Sequence, residues 1–191
     1  MSNWEAAHSS KKHNWATPPE LMEAIHNQWG LWSFTLDACA EPWSAKAPKF
    51  YTVQDDGLSQ PWNGMVWCNP PYGRDVGAWL EKAYKETRLN RSCKGVFVLT
   101  FVRSDTQWWH DYVRYADSVV MLKGRVKFQA GPEDTTPTQS APAPSCLIIF
   151  RGRATIPWWL VASDQHFSGP RLEHWDWRQE PEHPFRNKGN K

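Results

Sequence analysis

Apolar positions along the chain follow two spacings. Leu21, Ile25 and Trp29 recur at i, i+4 and i+8, while Val76, Trp79, Leu80, Ala83 and Thr87 fall on one helical face. Each set predicts an amphipathic helix with a single buried stripe. Between and after them stand short apolar runs that read as strands: "SFTLDACA" ending at Asp37, then "KFYT", "MVWC", "GVFVLTFV", "SVVML", "RVKF" and "SCLIIF". "GVFVLTFV" offers water no polar face, which is the pattern of a central parallel strand covered on both sides. Strands alternating with helices predict an α/β protein with a mostly parallel sheet and helices on both faces.

Local signals place the ends of these elements. Thr17-Pro18-Pro19-Glu20 reads as the start of the first helix, with Thr17 as the cap, Pro18 in the first helical position and Glu20 completing a capping box. Gly30 is placed to end it. Ser104-Asp105-Thr106-Gln107 predicts a second capping box that opens a helix through about Tyr115. "DDGLSQPWNG" has turn composition, Lys123-Gly124 suits a bend, and "QAGPEDTTPTQSAPAP" cannot pack as regular structure. No internal repeat is visible.

Length and composition narrow the picture. A chain of 191 residues can bury one core, so we expect one domain over 14–168, a flexible arm over 1–13 and a loosely held polar tail over 169–191. The net charge of +2 permits a polyanionic partner without demanding one. Cys39, Cys68, Cys93 and Cys146 form no C-x-x-C pair, which suits buried free thiols in a reducing cytosol. The N-terminus lacks the apolar stretch of a signal peptide and "VFVLTFV" is too short to cross a bilayer, so a soluble cytoplasmic protein with no membrane partner is expected. The histidines show no H-x-x-x-H grouping, and no metal is expected. Each of the 14 tryptophans can fill core volume or offer a flat stacking face.

The candidate chemistry lies in "VWCNPPYGRDVGAWL", where a buried strand stops at Asn69-Pro70-Pro71-Tyr72 and gives way to a helix. Two prolines fix two φ angles and lack N–H groups, so the Asn69 and Pro70 carbonyls are held in a stiff, extended turn. Ligands of such sheets bind beyond the carboxyl ends of the strands. A group with two N–H donors, such as an exocyclic base amine, can give one to the Asn69 amide oxygen and one to a fixed carbonyl. Its lone pair then leaves ring conjugation and becomes nucleophilic. Tyr72 offers a face on which a planar heterocycle can stack. Taken alone, the tetrapeptide is equally a stiff turn joining a strand to a helix. Asp37 at a strand end can simply cap a turn, and Asp55 and Asp56 before Gly57 have ordinary turn composition. Arg103, beyond "GVFVLTFV", suits either a phosphate contact or a solvated loop.

The turn resembles the catalytic motif of amino-directed, S-adenosylmethionine-dependent methyltransferases. Together, "NWATPPELMEAI", "FTLDACAEPWSAKAPKFYT", "DDGLSQPWNGMVWCNPPYG", "FVRSDTQWWHDYV" and "KGRVKF" are similar in order and spacing to the phage-type DNA N-6-adenine methyltransferases, over roughly residues 14 to 150. The resemblance implies a Rossmann-like class I methyltransferase fold: a mostly parallel seven-stranded sheet with one antiparallel strand near its C-terminal edge. It implies methyl transfer from S-adenosylmethionine to the N6 amine of adenine, flipped out of double-stranded DNA. Asn69 and the Pro70 carbonyl would hold the amine, with Pro71 completing the catalytic turn, Tyr72 stacking on the base and Phe128 facing it from the other side. Trp15, Thr17, Pro18, Asp37, Ala38, Asp55 and Asp56 would serve the cofactor, and Arg103 the substrate. The N–H groups at the first helix start would suit the methionine carboxylate. A monomer is expected. The glycine-rich F-x-G-x-G loop of methyltransferases at large is missing, with "DACA" in its place. Two other readings fit the same residues: a methyltransferase of RNA bases or protein glutamine, and a non-catalytic nucleic-acid-binding protein that stacks bases on its tryptophans.

Overall fold

The computed structural model describes residues 15–133, 140–153 and 170–178. In chain order these form α1 (Pro19–Trp29), β1 (Leu36–Asp37), β2 (Lys49–Phe50), β3 (Gly64–Cys68), α2 (Val76–Leu89), β4 (Cys93–Phe101), α3 (Gln107–Asp111), a 3-10 turn (Val113–Tyr115), β5 (Ser118–Leu122), β6 (Ser145–Arg151) and β7 (Arg171–Trp175). All seven strands join one sheet in the order β2-β1-β3-β4-β6-β5-β7. The pairs β2/β1, β1/β3, β3/β4 and β5/β7 are parallel, and β6 runs antiparallel to both β4 and β5. The expected antiparallel strand is therefore β6, two strands in from the β7 edge.

Alternate residues of the central strands feed two cores on opposite faces. Val66, Cys68, Val96, Val98, Cys146 and Ile148 meet Val76, Trp79, Leu80 and Ala83 of α2. Trp67, Phe97, Leu99, Leu147 and Ile149 meet Leu21, Met22 and Ile25 of α1. This is why "GVFVLTFV" shows no polar alternation, since each of its faces is covered. Trp62, Trp67 and Trp79 are fully buried, and Trp62 stacks on Trp79 with ring centroids 6.1 Å apart. These three tryptophans fill volume.

Several local expectations need correction. α1 begins one residue later than the capping box requires: Pro18 is the N-cap and has no side-chain cap bond. Leu21 and Met22 donate their N–H groups to the Pro18 carbonyl, and the Thr17 hydroxyl is left buried without a partner. Gly30 does end the helix, at φ 61, a left-handed conformation that costs glycine nothing. The second capping box is not formed either. Thr106 donates its hydroxyl to the Arg103 carbonyl at 2.7 Å, and the helix stops at Asp111 before the 3-10 turn. "RVKF" is not a strand of the sheet; Lys127 makes an isolated bridge with Ser140 and Gln129 another with Ala16. The seventh strand is instead β7, from a segment expected to be a loose tail. The arm with Lys11, Lys12 and His13 lies outside the described residues. None of the described helices is long and apolar enough to cross a membrane.

Candidate active site

Sheet topology delivers the Asn-Pro-Pro-Tyr turn to one edge of the molecule. β3 ends at Cys68 and Asn69 follows at the carboxyl end of the parallel strands. Because β6 is antiparallel, Phe101 at the end of β4 pairs with Ser145 at the start of β6. Met121 near the end of β5 pairs with Cys146. The connection from 123 to 144 therefore leaves and returns at that same edge.

Two clefts open on either side of the turn. The first is lined by Trp15, Ala16, Thr17, Asp37, Cys39, Ala40, Glu41, Ser44, Lys46, Val53, Trp67 and the whole of Asn69 to Tyr72. The second is lined by Trp15, Tyr72, Gly73, Arg74, Val76, Thr100, Phe101, Arg103, Thr106, Trp108, Pro142 and Ala143. Trp15 and Tyr72 belong to both, so they form the wall between them.

The Asn69 amide is held at both ends. Its nitrogen donates to the Trp15 carbonyl at 2.6 Å, and its oxygen accepts from the Tyr72 hydroxyl at 2.9 Å. A carbonyl cannot donate, so the first bond fixes which way the amide points. The oxygen has two lone pairs and one is left for an incoming donor. Trp15 is fastened in turn by paired backbone bonds between its neighbour Ala16 and Gln129, at 2.9 and 3.0 Å. The Tyr72 ring lies parallel to Phe101, with centroids 4.0 Å apart. Burial pushes the Tyr72 phenol up, so it stays a neutral donor.

At the far end of the first cleft, the buried Asp37 carboxylate accepts the Cys39 N–H at 3.2 Å and the Lys46 N–H at 3.0 Å. It thus closes the segment 38–46 into a cleft wall. Burial draws the carboxyl up to about 7, opposed by those two N–H groups and by the nearby Lys46 charge. Burial also pushes the Cys39 and Cys68 thiols up, which keeps them protonated and unreactive. Among the described residues no three His, Cys, Asp or Glu side chains come together as a metal site.

The sequence-predicted residues divide in two. Trp15, Thr17, Asp37, Asn69, Pro70, Pro71 and Tyr72 come together at the first cleft, and Arg103 lies on the second. Pro18, Ala38, Asp55, Asp56 and Phe128 line neither. Ala38 is buried behind the wall, with its N–H given to the Trp67 carbonyl. Asp55 turns its carboxylate onto the Thr52 N–H and hydroxyl at 2.8 and 2.7 Å, and Asp56 adopts φ 52 in the same turn. Phe128 is buried edge-on to Trp15 and Tyr72, so it backs the wall between the clefts. Sequence reasoning missed Glu41 and Lys46 on the first cleft and Phe101 and Trp108 on the second. The first two sit in a segment with no motif spacing, and Phe101 reads simply as the end of a core strand.

The fold and site define an α/β protein whose mostly parallel sheet carries an amide-bearing turn between two clefts at its carboxyl edge. The chain belongs to the DNA N-6-adenine-methyltransferase (Dam) family, whose model matches residues 5–165. Among its relatives, a DNA N-6-adenine-methyltransferase of Haemophilus phage HP1 (strain HP1c1) is 29% identical over 147 residues, covering 76% of this chain and 82% of that protein.

Proposed function

We propose that this protein methylates the N6 amine of adenine in double-stranded DNA, on a base flipped out of the duplex, with S-adenosylmethionine as donor. The sheet is read as a Rossmann-like class I methyltransferase fold, the domain as spanning 14–168, and the active unit as a monomer in the cytoplasm. One observation carries the reading. The Asn69 amide is oriented from both ends and keeps one free lone pair on its oxygen, at the turn shared by the two clefts.

The first cleft fits the donor. The buried Thr17 hydroxyl has no partner, and side chains of both charge signs, Asp37, Glu41 and Lys46, line the same space. A buried polar atom without a partner costs about 1–3 kcal/mol, which a bound ligand can return. S-adenosylmethionine, when bound, supplies a methyl group activated by a sulfonium. The protein's own task is to aim the amine. Asn69 and the Pro70 carbonyl accept its two N–H groups, so the lone pair leaves the ring. Those acceptors are fixed beforehand, and they would favour the positive charge that grows on nitrogen as its lone pair takes the methyl carbon, the carbon–sulfur bond breaking to leave a neutral thioether and the surplus N–H proton passing to water. The second cleft, with Arg74, Arg103 and Trp108 among its lining residues, suits a planar base attached to an anionic backbone.

Asn69→Ala is expected to lower methylation on the order of 100-fold or more while leaving the fold intact. Tyr72→Ala should do the same. Tyr72→Phe removes only the hydroxyl that orients Asn69, so it should lose about 5- to 10-fold, the worth of one hydrogen bond. The test is sequencing of N6-methyladenine in genomic DNA from a methylation-deficient bacterium that expresses the chain. Wild-type levels in Asn69→Ala would overturn the assignment. No methyladenine from folded, donor-binding protein would redirect the search to RNA bases or protein glutamine.

A further inference from the structure

The donor's amino-acid end is a zwitterion, and its carboxylate needs a counter-charge once it leaves water. The start of α1 cannot supply one well. Its N-cap and first helical residue are Pro18 and Pro19, which have no N–H to give, the Leu21 and Met22 N–H groups already bond the Pro18 carbonyl, and the Glu20 N–H between them is a neutral donor beside that residue's own carboxylate. The Asn69 amide nitrogen is committed to Trp15. The arginines Arg74 and Arg103 line the second cleft rather than the first.

Lys46 remains. Among the described residues it is the one cationic side chain lining the first cleft, and its ammonium takes part in no ion pair. Its backbone N–H is tied to the Asp37 carboxylate at 3.0 Å, so the root of the side chain is fixed in the cleft wall. Each Asp37 oxygen accepts one backbone N–H, and neither accepts from the Lys46 ammonium. Asp37 therefore acts on Lys46 by proximity and leaves the ammonium open to a ligand. A half-buried ammonium with no ion pair is a poor arrangement for stability and a good one for binding an anion.

We infer that Lys46 binds the carboxylate of the methyl donor, anchoring its amino-acid end in the first cleft. The inference rests on the proposed donor and sharpens how that donor is held. The two fail in different ways.

The experiment is titration calorimetry of the full chain with S-adenosylmethionine and with its decarboxylated form, which keeps the ammonium and sulfonium and lacks only the carboxylate. Wild type should bind the decarboxylated form the more weakly. Lys46→Met should weaken S-adenosylmethionine binding by roughly tenfold, the effect of a charged hydrogen bond, yet change binding of the decarboxylated form less than twofold. Lys46→Arg should restore part of the loss. Equal weakening of both ligands in Lys46→Met would overturn the inference, leaving Lys46 as a wall residue, and so would no weakening of either. If the methionine variant unfolds, Lys46→Gln carries the same comparison. Wild-type protein that binds neither ligand would overturn the donor assignment itself, and Lys46 with it.

Discussion

Burial holds the Asp37 carboxyl near 7, whereas an aspartate in an unfolded chain ionises near 3.9. Between those two values the folded protein keeps a proton that the unfolded chain has released. Rising pH therefore favours unfolding through this group. Its contribution to stability is fully present below about pH 4, declines across the interval, and is gone once pH passes about 7. Asp37→Asn cannot titrate, so its unfolding free energy should change less than wild type's between about pH 5 and about pH 8. Urea denaturation at the two pH values measures this, and an unaltered difference would refute the assignment. The family resemblance implied a cofactor role for Asp37, while the residues alone left it as a turn cap. Its two acceptor bonds to Cys39 and Lys46 show that it also builds the wall those residues belong to. Nothing in the order of residues reveals that, because the bonds are to backbone N–H groups that every residue but proline carries.

Elements around the first cleft depend on one close approach. The turn after β2 presses Gly57 against the segment that follows β1, and a Cβ on Gly57 would collide with the Ala38 carbonyl oxygen. The obstacle is backbone, so it cannot swing away as a side chain would. The Gly57 carbonyl also accepts the buried Trp62 indole N–H at 2.8 Å, which pins the turn from the other side. Gly57→Ala should cost roughly 2 kcal/mol or more and lower donor affinity with it. Thermal unfolding at the wild-type temperature would contradict this account. Elements with strong periodicity were legible: α1, α2 and β4 have the stripes or unbroken runs that burial on one or both faces demands. Weak elements were not. "RVKF" has strand composition, but Lys127 is spent on an isolated bridge to Ser140 and the Val126 carbonyl accepts the Ala141 N–H. Arg171–Trp175 is polar and half exposed, since an edge strand has only one covered side. Its place comes from pairing with β5, a partner about 50 residues back along the chain that no local pattern can reveal.

At the scale of the whole molecule, β7 closes one side of the sheet over the α1 core. Trp175 packs edge-on against Trp29 with centroids 5.1 Å apart. Lys123 pairs with Asp176 at 2.8 Å, and Arg178 donates to the Lys123 and Arg125 carbonyls, each at 2.8 Å. These contacts grip the chain just before the stretch that bridges Ala16. Trp175→Ala should lower stability by roughly 1–3 kcal/mol. Circular dichroism during heating would register the drop, and an unmoved transition would mean that β7 is an ornament on a complete fold.

The antiparallel course of β6 carries one more consequence. It brings both ends of 123–144 to the sheet edge that carries the Asn69 turn, where Pro142 and Ala143 line the second cleft. Lengthening such a span adds little entropic cost, about 0.6 kcal/mol per doubling, and disturbs no strand register. The Asn69 turn beside it tolerates almost no change. A span whose length the sheet leaves open thus ends beside a turn whose geometry two prolines fix, so related chains can differ in the one without disturbing the other.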